Sequence, residues 1–275
     1  MEEMDRFPRV NLRATGTGVC VKVMKMNREA ALAFSNQFRS ARQGALADSE
    51  AYEPIIHVVE RLGSLLDRRI SSLGSYAQSI ATLAARSPLS MEIPSKWPDF
   101  HAPFERTYRH FKDARNDALH QGAFARRLTE HAVQLSIVLE DALRRSMEDP
   151  TIGDFMVRNP ICAAEWQPLS FVRQLMLANA FSFLPMRRGE KWYLISDVQV
   201  ASYLGSEPAD RKKRLAVTVD AAAPELQLYE TSPIPLNTPL KDALSHFRSS
   251  SHPLLILATV DHMDLVGIVT AFDLL

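Results

Sequence analysis

Hydrophobic positions in the first half of the chain recur with a helical period. From Tyr52 onward, Ile55, Val59, Leu62, Leu66, Leu73, Tyr76, Ile80 and Leu83 follow at steps of three, four or seven. That spacing predicts one long helix with a single apolar stripe. Pro88, Pro94, Pro98 and Pro103 end it, because proline lacks the N–H that a helix interior needs. A further helix is expected over Phe104–Arg115, and another from about Phe124 to Met147 with Phe124, Leu128, Leu135, Leu139 and Leu143 on its buried face. Ahead of them, residues 1–15 read as an irregular arm, and Val19, Val21 and Val23 alternate within Gly18–Met26, which suits a short strand. Asn27 is placed to cap a helix that starts at Arg28.

Glu148–Thr151 ("EDPT") ends the last of these helices, and the texture then changes to short elements of alternating type. "SFVRQLMLAN" reads as helix, "FSFLPM" and "KWYLISD" as strands, and "DVQVASYL" as helix again. The order returns as helix "PLKDALSHFRSS" and strands "PLLILATV" and "DLVGIVT", which marks an internal repeat. The expected fold is therefore a two-domain α+β chain. Residues 1–44 form an arm with a short strand and helix, 45–149 an all-α antiparallel bundle, and 150–275 an α/β module.

A length of 275 residues suits two domains, and 46% hydrophobic with 23% charged residues excludes disorder as the dominant state. Net charge is zero, so any nucleic-acid binding needs a local basic patch. Cys20 and Cys162 are too far apart and too few for a disulfide framework, which points to a reducing compartment. The acidic start "MEEMDRFPRV" is unlike a signal peptide, and no apolar run is long enough to span a bilayer, so a cytoplasmic, non-membrane protein is expected.

"NTPLKDALSHFRSSSHPLLILATVDHMDLVGIVTAFDLL" resembles a CBS motif, through its Thr-Pro-Leu helix start and its Gly-h-h-Thr-x-x-Asp ending, where h is hydrophobic. "DFMVRNPICAAEWQPLSFVRQLMLANAFSFLPMRRGEKWYLISDVQVASYL" resembles the first member of a pair, or Bateman module, with Phe183, Leu184 and Pro185 in its usual strand. The first motif covers about residues 152–205 and the second about 230–275. The resemblance implies a pseudo-symmetric disc whose clefts take an adenine nucleotide (AMP, ADP or ATP) as a regulatory ligand, with no cofactor required. It places Thr270 and Ser196 at phosphate and Asp273 at ribose. Such chemistry suits a hydroxyl donor and a carboxylate that accepts from two ribose hydroxyls. Gln199 stands where the first aspartate belongs, so one cleft looks equipped for ribose. In the family another helix follows the position of "FDLL", so either a segment from elsewhere covers that sheet face or the motif is incomplete.

The stretch "RNDALH" (Arg115–His120) raises a second possibility. On one continuous helix its arginine and histidine lie roughly 140° apart around the axis. To cooperate they need a bend, or a partner chain. Asn116 and Asp117 are turn and cap residues, and Gly122 follows, so a bend is expected here with the last long helix starting near His120–Phe124. The layout resembles the HEPN family, helical bundles with an Arg-x4–6-His motif, and the likeness covers about residues 45–147. It implies a homodimer and a metal-independent ribonuclease. His120 would serve as general base toward a ribose 2′-hydroxyl, Arg115 would stabilise charge on the phosphate, and Asn116 would orient either. Arg106, Arg109, Lys112, Arg126 and Arg127 could supply the basic patch. The plain alternative is a set of solvated charges, with Arg115 paired to Asp117 or Glu130.

No metal site is expected, since His246, His252 and His262 lack clustered partners. The basic run Arg211–Arg214 reads as a solvated loop, with phosphate contact as its second reading. Two functions remain open: a nucleotide-regulated ribonuclease acting on RNA, or a non-enzymatic sensor that gates contact with a protein partner.

Overall fold

The structure, a computed structural model, describes residues 26–48, 51–67, 72–121, 125–205, 207–249, 252–258 and 264–275. The strand expected within Gly18–Met26, and Cys20, Gly122 and Phe124, lie outside or at the edge of these. The chain divides into two compact units between Ser146 and Met147.

The first unit is helical: α1 Arg28–Ala47, α2 Glu53–Leu66, α3 Leu73–Ala84, a short α4 Glu92–Lys96, α5 Phe104–Gln121 and α6 Ala125–Arg144. Asn27 caps α1 by accepting the Ala30 N–H at 2.8 Å. The stripe read as one helix over Ile55–Leu83 is split into α2 and α3. Asp67 closes α2, and Ser72 opens α3 with a reciprocal cap in which Ser75 Oγ accepts the Ser72 N–H at 3.0 Å. The interruption is invisible to periodicity because Leu66 and Leu73 are a whole number of turns apart. Phe38, Ile55, Leu62, Ile80, Phe111, Leu128, Leu135, Leu139 and Leu143 are fully buried in this unit. The Tyr108 hydroxyl donates to the Leu73 carbonyl at 2.7 Å, and burial pushes its pKa well above the usual phenol value.

The second unit carries two small sheets. Strand β1 is Val157–Arg158, followed by α7 Leu169–Asn179, β2 Phe183–Arg188, β3 Lys191–Ser196, α8 Asp197–Leu204, α9 Pro208–Leu215 and α10 Val219–Leu226. Then come β4 Tyr229–Thr231, β5 Ile234–Pro235, α11 Leu240–Ser249, β6 Leu254–Ala258, β7 Leu265–Thr270 and α12 Ala271–Leu274. The basic run read as a solvated loop is α9, started by Pro208 in its first turn.

Pairing registers repeat across the unit. Ala163 bridges Met186 in parallel as Ile234 pairs with Leu257. Pro185 faces Leu194 as Ile256 faces Ile268. The segment that leads into each repeat adds a strand to the sheet of the other: Leu194 faces Tyr229 in β4, and Ile268 faces Val157 in β1. Each half therefore completes its sheet with chain from its counterpart, and β1 supplies the strand beside β7.

Strand periodicity sorts the core. Trp192 and Leu194 of β3 meet Leu254 and Ile256 of β6 in a layer shared by the two sheets. The intervening residues face helices: Ile195 packs with Leu169, Val172 and Leu226, while Leu255 and Leu257 pack with Ile152 and Ala243. Both faces of each sheet are buried, which is why these strands read as apolar runs rather than as alternating ones.

Candidate functional site

The two repeats end in equivalent strand-to-helix junctions. In the second, Thr270 ends β7 and caps α12. Its N–H and hydroxyl both donate to Asp273 Oδ2, at 2.7 and 2.8 Å. In the first, Ser196 ends β3 and caps α8. Its Oγ accepts the Gln199 N–H at 3.1 Å, and its own N–H donates to Gln199 Oε1 at 2.9 Å. These are capping boxes, which explains why a short hydroxyl residue is followed three positions later by a carboxylate or amide.

The junctions differ where the side chains differ. Asp273 is buried, and its Oδ2 accepts both Thr270 contacts. Gln199 has an amide nitrogen to spend, and it donates that nitrogen to the carbonyl of Gln227, the left-handed residue closing α10. Gln227 escaped the sequence reading because nothing local links it to Gln199. Phe183 pairs with Ser196 across the β2–β3 ladder, half-buried, with its ring centroid 6.5 Å from that of Tyr229. Leu184 is wholly buried in the helix-side core, and the Pro185 carbonyl accepts the Ala163 N–H at 2.9 Å. Leu184 and Pro185 thus build the sheet beneath the junction, while Phe183 is the one of the three beside Ser196.

A cavity of about 350 Å³ adjoins the first junction, lined by Gln199, Tyr203, Arg214, Gln227 and Tyr229 among others. Arg214 lies over the Tyr203 ring, 5.1 Å from its centroid, and donates to the Tyr203 carbonyl. The last residue of the basic run is therefore a packed cation on a cavity wall.

In the helical unit, α5 continues through residues 115–121, so the bend expected at Asn116–Asp117 is absent and α6 starts only at Ala125. Phe104, Tyr108 and Phe111 bury one face of α5, and that anchorage outweighs the few tenths of a kcal/mol per residue by which Asn and Asp disfavour a helix. Arg115 and His120 accordingly occupy one unbroken helix, roughly 140° apart around its axis. Arg115 lies 3.5 Å from Glu60 of α2, with both side chains about one-third exposed, while the side chain of its alternative partner Asp117 lies outside the description. Asn116 is exposed, and the His120 side chain lies outside the description.

Among the described residues no three His, Cys, Asp or Glu side chains converge as a metal site, and no helix is long and apolar enough to cross a membrane.

No family model and no curated protein matches the chain. Among solved structures, it is similar to a CBS domain-containing protein of unknown function from Bacillus anthracis, at 16% identity over 47% of this chain and 93% of that one, with a TM-score of 0.38. It is also similar to the CBS-pair protein CBSX2 from Arabidopsis thaliana, at 16% identity, 46% and 92% coverage and a TM-score of 0.38. A structure of CBSX2 in complex with AMP gives 18% identity, 45% and 91% coverage and a TM-score of 0.36.

Proposed function

We propose that the second unit is a CBS pair that senses an adenine nucleotide, and that the helical unit is its non-enzymatic output, a surface whose contact with a protein partner the nucleotide gates. The matched capping boxes, Thr270–Asp273 and Ser196–Gln199, carry this reading. They are the residue types that a nucleotide's phosphate and ribose would meet, set at equivalent places in a two-fold repeat. The asymmetry between them implies one nucleotide per chain, at the Asp273 junction, because Gln199 is tied to Gln227. Gating follows only if nucleotide binds two arrangements of the protein with different affinity.

A non-enzymatic output is favoured over RNA cleavage by the unbroken α5. Positions 115 and 120 lie roughly 140° apart around one helix, so the ribonuclease reading is best served by an arrangement between two chains.

The test is calorimetric titration of the full-length chain with AMP, ADP and ATP. One site per chain is expected for at least one of them, lost in Asp273→Ala and retained in Arg115→Ala. Absence of binding by all three would remove the sensor reading.

A further inference from the structure

A cavity of about 470 Å³ opens in the helical unit between the N-terminal half of α5, the middle of α6 and the connection that precedes α5. Its ionisable lining is one guanidinium and one carboxylate with three imidazoles. Arg106, His101, His110 and His131 face it, against the single carboxylate of Asp99. The rings of His110 and His131 lie 5.1 Å apart, so α5 and α6 each present an imidazole to the same space. Arg106 belongs to the first turn of α5, where the helix dipole adds positive potential. Arg106 is exposed and makes no ion pair among the described residues. Apolar groups share the wall: Phe100, 79% exposed, on one side and Ile137, 44% exposed, on the other.

We propose that this cavity is a binding site for a small organic anion, a carboxylate or phosphate ester carried on a flat apolar body. A guanidinium matches two anionic oxygens at once, and imidazole N–H groups supply further donors. Phe100 and Ile137 leave water when the apolar body enters. The volume suits a molecule larger than a bare ion, since small-molecule sites span roughly 300–1,000 Å³. The site is separate from "RNDALH", which occupies the other end of α5, and it does not rest on the nucleotide reading of the second unit.

Phenyl phosphate is the probe, titrated into the full-length chain by calorimetry, with inorganic phosphate and phenol as partial ligands. Saturable binding of phenyl phosphate is expected, with each partial ligand weaker. Arg106→Gln should weaken it about tenfold or more, as expected for loss of a charge-assisted contact. Phe100→Ala should weaken it severalfold. Both side chains are exposed, so circular dichroism should show the helices intact in each variant. Asp273→Ala should leave this binding unchanged, which separates the site from any nucleotide cleft. The proposal is overturned by absence of saturable binding, by equal affinity in Arg106→Gln, by inorganic phosphate binding as tightly as its phenyl ester, or by loss of binding in Asp273→Ala.

Discussion

Arg42 of α1 and Glu140 of α6 meet in a two-point contact, Nε to Oε1 at 2.8 Å and a terminal guanidinium nitrogen to Oε2 at 3.1 Å. Both are largely shielded, at 14% and 5% exposure. The pair joins the first described helix of the unit to its last, and Glu140 serves more than one cation. Arg144 has its pKa lowered by burial and then by Arg39, with Glu140 acting in the opposite direction.

Replacing Glu140 with alanine should therefore do more than delete a contact. It removes the carboxylate that pairs with Arg42 and also acts on Arg144, and a broken buried pair costs about 3–5 kcal/mol. Urea unfolding monitored by helical ellipticity should show a loss of that order. The double variant Arg42→Met/Glu140→Leu should recover most of it, because an apolar pair of similar volume avoids desolvation. A loss under about 0.5 kcal/mol in Glu140→Ala would mark the pair as an ordinary surface bridge.

Gly63 of α2 should resist the substitution that usually stabilises a helix. Gly→Ala in a helix interior ordinarily gains about 1 kcal/mol. Here an added Cβ would sit within 2.8 Å of the Tyr76 Cβ and closer still to its ring. Tyr76 is buried, so α2 and α3 must separate or the ring must leave its position. Gly63→Ala should destabilise by about 1–3 kcal/mol, the usual cost of overpacking. Thermal unfolding of the single variant, and of Gly63→Ala/Tyr76→Ala in which the ring contacts are removed and only the Cβ–Cβ approach of 2.8 Å remains, measures how much of the loss the ring causes.

These contacts mark where sequence reasoning works and where it stops. Leu128, Leu135, Leu139 and Leu143 announce the buried face of α6 because helical geometry makes spacing a proxy for direction. In the second unit β2, β3, β6 and β7 were legible because strands buried on both faces become continuous apolar runs. The break between Leu66 and Leu73 was hidden, since a seven-residue step keeps the stripe in phase across it. The expected turn at Asn116–Asp117 failed because local preference is small beside the anchorage of Phe104, Tyr108 and Phe111. At the junctions, Thr270 with Asp273 and Ser196 with Gln199 were readable as residues three apart. The engagement of Gln199 by Gln227, and the gathering of His101, His110 and His131 around one cavity, depend on tertiary packing that no spacing encodes.

Gln199→Asp should test whether the amide is what distinguishes the two junctions. A carboxylate can still accept the Ser196 N–H, so the cap persists, but it cannot donate to the Gln227 carbonyl. If the proposed nucleotide site is right, titration should then report two nucleotides per chain where the native protein reports one. Unchanged stoichiometry, with the variant folded, would place the obstruction elsewhere in that cleft.

His252 should make the second unit sensitive to mild acid. Its Nδ1 lies 2.8 Å from the Leu254 carbonyl, and burial holds its pKa below the ordinary 6.5. A depressed histidine pKa means that the unfolded chain binds more protons than the folded one at intermediate pH. The stabilisation is complete above about pH 6.5 and is lost as pH falls from there through the folded-state value. Thermal midpoints should drop over that window in the native protein and drop less in His252→Gln. Parallel curves for the two would assign the acid sensitivity to another group.

RNA should survive the full-length chain in EDTA, and the reason is the unbroken α5. A base and a phosphate clamp must reach the same phosphodiester, yet Arg115 and His120 diverge by roughly 140° on one helix. Arg115, moreover, is engaged with Glu60. Intact single-stranded and structured RNA, with or without AMP or ATP, is the expected result. Cleavage that leaves 2′,3′-cyclic ends and disappears in His120→Ala would overturn the non-enzymatic output. The geometry also dictates the form such activity would take. If Arg115 of one chain serves His120 of another, a mixture of Arg115→Ala and His120→Ala chains would form one site with both residues intact and recover part of the activity. If the two act within a chain, the mixture would stay inactive, and α5 would have to bend to catalyse.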